Sequence, residues 1–275
     1  SKSSIDYIIF FSAINFLIGF VADIKIIENP LKRFFLILFF NLFLIIYFEF
    51  YILNFNLTIL DYLNNFFLIK IFLTFFAIFF IINGSNLIDG FNGLLSIHTS
   101  LLFIFLIYVL KQNNFDLELE NYLIFLIFVN FLFLTLNFPN AKVFLGDSGA
   151  FFLGSNAAVI SILVSNGINE ISPFFIANIL FYIFFEIFFS VFRKIIQKKN
   201  PFYPDNMHLH MMLYRHIKRK IKYANPVTSI IINSIYLLTV IPCLFFYNNT
   251  IFCQTVFIFQ IILYMTFYFY LLKKN

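Results

Sequence analysis

The sequence predicts an all-α fold, a polytopic bundle of about nine transmembrane helices, and three observations carry that expectation. Of its 275 residues 62% are hydrophobic and only 11% are charged, and the mean hydropathy is +0.94, outside the range of water-soluble domains. The apolar residues fall in runs of about 20, the length a helix needs to cross the hydrocarbon layer. Backbone amides in lipid must be satisfied within their own segment, which favours helices for runs this long.

Taken in order, the candidate spans are residues 5–21, 34–53, 63–82, 91–110, 121–138, 148–165, 173–192, 227–247 and 251–272. Residues 1–275 therefore read as one integral-membrane domain, with a large basic loop over 193–225 and no separate soluble domain. The chain begins with Ser and has no evident cleavable signal peptide, so an incomplete N-terminus is expected. The 47 Phe and zero Trp follow from A/T-rich codons and are not read as a stacking surface. Cys243 and Cys253 are too few for a disulfide framework or a cysteine metal cluster, and are expected as small buried hydrophobes.

Orientation follows from the basic residues. With loops taken in alternation, one side collects Lys25, Lys32, Arg33, Lys142 and the cations of 193–222, together with Lys273 and Lys274; the other has only Lys2 and Lys111. The positive-inside rule makes the first side cytoplasmic. The basic loop suits either anionic headgroups or an anionic substrate. Lys70 falls inside a span, where it snorkels or pairs with Glu49.

Asp23, Glu28, Asp89, Asp147 and Asp205 lie on or beside the cytoplasmic side, in four different loops, whereas Asp61, Asp116, Glu118, Glu120 and Glu170 lie opposite and need only solvation. Glu186 falls within a span, as a functional acid or one paired with a basic neighbour. Carboxylates gathered beside glycines and a basic loop suit a reaction between two phosphate compounds. Magnesium takes one or two carboxylates and completes its shell with water and substrate phosphates. Zinc ligands are not assembled, since His208 and His210 have no cysteine nearby.

Six of the eight glycines fall in two windows. In the first, "NGSNLIDGFNGLL", Asp89, Asn92 and Ser96 recur at helical spacing and are expected on one face where the fourth span begins; simple capping by Asp89 is the plainer reading. In the second, "VFLGDSGAFFLG", Asp147 or Ser148 could cap a helix whose small face is Gly149, Gly154 and Ala157. His98, deeper in the fourth span, is expected as a hydrogen-bonded packing residue.

Three segments in this order, "NGSNLIDGFNGLL", "NAKVFLGDSGAFFLG" and "PFYPDNMHLHMML", resemble the polyprenyl-phosphate N-acetylhexosamine-1-phosphate transferases, and "GFVADIKIIENPLKRF" resembles that family's aspartate-pair motif. The resemblance implies transfer of a sugar 1-phosphate from a UDP-N-acetylhexosamine to a polyprenyl phosphate, with release of UMP, as the first step of a cell-envelope glycan. It implies a multi-pass protein of the bacterial inner membrane, its active site facing the cytoplasm. It implies magnesium, with manganese as the alternative, and one or two further N-terminal helices. By position, Asp147 matches the metal-binding aspartate and Asp89 the acid of the Asn-x-x-Asp-Gly motif, preceded by Asn83 and Asn86. Asn92 stands where the family has Asp or Asn, and His208 and His210 fall in the histidine motif that helps hold the nucleotide-sugar phosphates. Asp23, Asp89 and Asp147 are thus the expected catalytic set, Asp147 and Asp23 the expected metal ligands, and Lys25 and Arg33 further substrate-binding residues. The aspartate pair reads Ala22-Asp23, without its first acid, and the histidine motif reads HLHMM, which favours the simple-hexosamine branch. No nucleic-acid partner is expected, and a homodimer is left open. The rivals are an altered or inactive paralogue that binds the lipid carrier, and a transporter using Glu186, Lys70 and His98.

Overall fold

The computed structural model describes residues 4–55, 57–201, 203 and 205–274; Lys2 of the orientation argument and Pro204 of the histidine motif lie outside the described residues. Among the described residues there are eleven α-helices and no strand: α1 (Ser4–Asp23), α2 (Pro30–Phe48), α3 (Thr58–Asn64), α4 (Phe67–Ile88), α5 (Leu94–Gln112), α6 (Leu117–Asn137), α7 (Gly146–Gly167), α8 (Pro173–Ile196), α9 (Leu209–Ile217), α10 (Ala224–Phe245) and α11 (Thr250–Lys274). Nine of these, all but α3 and α9, are long and apolar enough to cross a membrane.

The helix starts follow from local chemistry. Asn29 accepts the Leu31 N–H at 2.9 Å with Pro30 opening α2; Asp116 accepts the Leu119 N–H at 3.0 Å to start α6; Ser172 accepts the Phe174 N–H at 3.2 Å with Pro173 opening α8. The acids at the end of the bundle remote from Asp89 serve the structure locally: Asp116 caps α6 and accepts a hydrogen bond from Ser4, Asp61 accepts the Phe55 and Leu57 N–H groups at 2.7 and 2.9 Å, and Glu120 pairs with Lys111 at 3.2 Å.

Helix α7 lies at the centre of the bundle, with 72% of its most apolar 18 residues buried against 22% of the corresponding stretches of α6 and α11. Its small residues are the reason. α1 crosses so close that a Cβ on Gly19 would stand 2.5 Å from the backbone of Asp147 and Ser148. Without lipid-excluded apolar gain between helices, such close backbone approach is what holds membrane helices together. Buried amides add to it, and Asn15 and Asn41 exchange reciprocal hydrogen bonds at 3.1 and 3.0 Å between α1 and α2.

Several expectations change. The polar stretch after residue 82 is not a loop, because α4 continues through Asn83, Gly84, Ser85 and Asn86 to Ile88. Gly84 lets α8 approach there, where a Cβ would meet the Ile183 carbonyl at 2.2 Å, and Ser85 is wholly buried. The basic segment 193–225 is also not a plain loop: α8 runs to Ile196 and α9 occupies its middle. Lys70 makes no ion pair with Glu49 among the described residues; its Nζ lies 5.9 Å from the Tyr51 ring centroid. His98 is buried with Nδ1 3.2 Å from Asn233 Oδ1, as a packing residue should be. Both cysteines are buried free thiols.

Candidate active site

Alternation of nine spans brings the end of α1, the end of α4, the start of α7 and the end of α8 to one end of the bundle. Asp23, the last residue of α1, uses both carboxylate oxygens on α7: Oδ1 accepts the Asp147 N–H at 2.9 Å and Oδ2 the Ser148 N–H at 3.0 Å. The expected local cap at Asp147 or Ser148 is therefore replaced by one from 124 residues away, and the residue before α7, Leu145, supplies no side-chain cap. A carboxylate there both satisfies orphan amides and meets the positive end of the helix dipole. Gly146 makes room for it: its φ is +70°, and a Cβ would stand 2.7 Å from Asp23 Oδ2.

Asp147 projects from the first turn of α7 and its Oδ2 accepts a short hydrogen bond from Arg33 of α2. Asp89 terminates α4 as its C-cap. Asp89, Asn92 and Ser96 therefore do not share one helix face: Asn92 lies in the turn before α5, and Ser96 is buried in the first turn of that helix. Burial pushes the Asp89 carboxyl up to about 7, and the neighbouring charges of Asp147 and Asp23 push the same way. No hydrogen bond reaches that carboxylate among the described residues, so Asp89 faces two like charges with nothing to offset them.

The turn is fixed by amides. Asn137 Oδ1 accepts the Gly93 N–H at 2.7 Å, Asn225 Oδ1 accepts the Asn92 N–H at 2.8 Å, and Asn92 Nδ2 donates to the Pro139 carbonyl at 2.6 Å. Asn137 and Asn225 carry no sequence signal beyond being Asn. Asn83 donates to the Phe79 carbonyl at 2.8 Å within α4, while Asn86, half-buried, makes no side-chain hydrogen bond among the described residues. Lys25 is exposed beside Asp23. A polar cleft of about 440 Å³ opens beside Asn92, lined by Asn140, Lys218, Lys222, Tyr223 and Asn225 among others, with no carboxylate in its wall.

The two histidines are not displayed to solvent. His208 is 5% exposed, its Nδ1 3.1 Å from Glu186 Oε1 and its Nε2 3.4 Å from Asp205 Oδ1. His210 is fully buried with Nδ1 3.1 Å from Tyr182 Oη, and burial pushes its imidazole down to about 4. Arg193 and Lys194, expected among the anion-attracting cations, are buried at the end of α8. Arg193 binds Asp205 through both terminal nitrogens at 2.9 and 3.1 Å, and Lys194 donates to the Pro201 and Tyr203 carbonyls. Burial raises the Asp205 carboxyl, but hydrogen bonds and charge from Arg193 overcome it and hold the group below the usual carboxylate range.

Among the described residues no three His, Cys, Asp or Glu side chains stand together as a self-sufficient metal site. The arrangement still fits a hard divalent ion that draws its other ligands from phosphates. Asp89 is uncompensated, and only one oxygen of Asp147 is occupied, by Arg33. Asp23, an expected ligand, has both oxygens on the α7 amides.

Residues 5–165 match the family model described as Glycosyl transferase family 4. The chain is similar to the undecaprenyl-phosphate alpha-N-acetylglucosaminyl 1-phosphate transferase of Thermotoga maritima, with 32% identity over 148 residues, 52% of this chain and 43% of the relative. It is also similar to the phospho-N-acetylmuramoyl-pentapeptide-transferase of Dictyoglomus turgidum, with 36% identity over 156 residues, 54% of this chain and 48% of the relative. Matched segments thus span about half the length of these curated relatives.

Proposed function

Since the chain belongs to glycosyl transferase family 4, we propose that it transfers an N-acetylhexosamine 1-phosphate from a UDP-sugar to a polyprenyl phosphate, releasing UMP, at the cytoplasmic face of a bacterial inner membrane. The observation that carries this reading is the convergence of Asp147, Asp23 and the uncompensated Asp89 from three helices at one end of the bundle.

In this reading a lipid-phosphate oxygen attacks the β-phosphorus of the donor. The new P–O bond forms as the bond from that phosphorus to the bridging oxygen breaks, and UMP leaves with the electron pair. The absence of an acid at Ala22 is tolerable, because a phosphate monoester has its second pKa near 6 and arrives largely dianionic at neutral pH. Positioning and electrostatics then supply most of the catalysis, as is common in phosphoryl transfer. Asp23 holds the start of α7 in place, and with it Asp147. Arg33, tethered to Asp147, brings a cation to the phosphates. Magnesium, held by Asp147 and Asp89, would offset the diphosphate charge and polarise the bond that breaks. Lys218 and Lys222 give the polar cleft the charge an anionic nucleotide needs. An apolar groove of about 460 Å³ on α1, α6 and α7, lined by Ile9, Phe16, Tyr122, Gly149 and Phe152, runs close to the α7 start and suits a prenyl chain.

The test is UMP release by purified protein given UDP-N-acetylhexosamine, polyprenyl phosphate and magnesium. Asp147→Asn should abolish it, with labelled sugar appearing in the lipid fraction only for the unaltered protein. Full activity in the variant refutes the assignment, and labelled sugar crossing vesicles without entering lipid would favour transport.

A further inference from the structure

Glu186 is 1% exposed in the interior of α8, ten residues or about 15 Å before that helix ends. Three donors converge on it, from His208 just before α9, from the first residue of α9 and from α11. His208 Nδ1 at 3.1 Å and the Leu209 N–H at 3.0 Å share Oε1, and the Tyr264 hydroxyl of α11 donates to Oε2 at 2.9 Å. Leu209 is the first residue of α9, and His208 gives that helix no side-chain cap of its own. Glu186 is therefore the N-terminal anchor of α9, supplied across the bundle.

The far side of this anchor is the site. His210 and Tyr214 of α9 pack against Phe91, with ring centroids 5.5 and 5.2 Å apart. Phe91 lies in the short turn that carries Asp89 and Asn92 between α4 and α5. We propose that Glu186 is a positioning residue for the Asp89 turn, fixing the register of α9 so that His210 and Tyr214 hold Phe91 in place. A buried ionic anchor is poor value for stability alone, because well-packed apolar residues of similar volume usually serve as well or better. Its use here is geometric, since a carboxylate with three fixed donors defines one position of α9, whereas an apolar contact tolerates sliding. The catalytic consequence rests on the function proposed above; the geometric one does not.

Glu186→Gln keeps the shape and the acceptor for Leu209 but loses the charge that grips His208. The protein in nanodiscs should show a kcat for UMP release lowered about tenfold, with the KM for the UDP-sugar changed less than about threefold. Amide hydrogen exchange over residues 88–94 should quicken in the same variant, and Phe91→Ala should reproduce both effects. In Glu186→Gln/Phe91→Ala the kcat should fall no lower than in the worse single variant, because both act on one chain of contacts. Tyr264→Phe, losing one of three bonds, should give a smaller loss. Exchange over 88–94 at the unaltered rate in Glu186→Gln overturns the proposal, as do losses that multiply in the double variant. If the unaltered protein releases no UMP, the function fails while the exchange measurement still decides the role of Glu186.

Discussion

Asp89 provides the most direct measure of whether the carboxylates form a working site. Its carboxyl is raised from 3.8 to about 7, by burial first and then by Asp147 and Asp23. Between those two pH values the folded protein keeps a proton that the unfolded chain has released. Folding therefore takes up a proton, stability falls as pH rises through that window, and the penalty is complete above about pH 7. A difference of roughly 3 units at 1.36 kcal/mol each is about 4 kcal/mol, and partial access of water reduces the working figure to about 2 kcal/mol. Asp89→Asn keeps the shape and removes the charge. The magnesium-free variant should thus be more stable than the unaltered protein by about 2 kcal/mol at pH 8, converge with it near pH 4, and release no UMP. Magnesium should narrow the gap at pH 8 by stabilising only the protein that retains the charge. With no Trp in the chain, denaturant midpoints are best read from the helical circular dichroism in detergent. A variant that is less stable at pH 8, or a gap that does not change with pH, would refute the reasoning.

Two further substitutions probe the start of α7. Asp23→Ala strips both accepted hydrogen bonds from its first amides and should cost about 2 kcal/mol in the same unfolding assay, while Asp23→Asn, which keeps one acceptor, should cost about half as much; equal losses would count against the two-oxygen cap. Gly146→Ala sets a Cβ on a backbone at φ +70° and 2.7 Å from Asp23 Oδ2, so it should lower stability by about 2 kcal/mol and suppress UMP release together, and a variant with unchanged midpoint and rate would show that α7 can start elsewhere.

Much of the architecture was legible because lipid imposes a length. Nine apolar runs of about 20 residues match nine membrane-length helices among the described residues, and the breaks between them placed Asp23, Asp89 and Asp147 at one end of the bundle. The boundaries were less legible. Asn83, Gly84, Ser85 and Asn86 look like a loop by hydropathy, yet they are helix, because Gly84 and Ser85 are buried against neighbouring helices and do not meet lipid. The same limit hid the partners of the ionised groups. Arg33, an expected substrate-binding residue, is also tethered to Asp147, and His208, expected to help hold the donor phosphates, stands between Glu186 and Asp205; neither partner is marked in the sequence.

Sequence by itself determined the class of fold, the number of membrane-length helices among the described residues and the inventory of chemically capable groups, since each of these depends on hydropathy and length along the chain. Tertiary structure alone decided which groups meet. A helix that is apolar on every side carries no periodic mark of which face turns inward, so the pairing of α1 with α7 and the reach of Glu186 to α9 are settled only by small residues and buried polar atoms finding one another across the bundle.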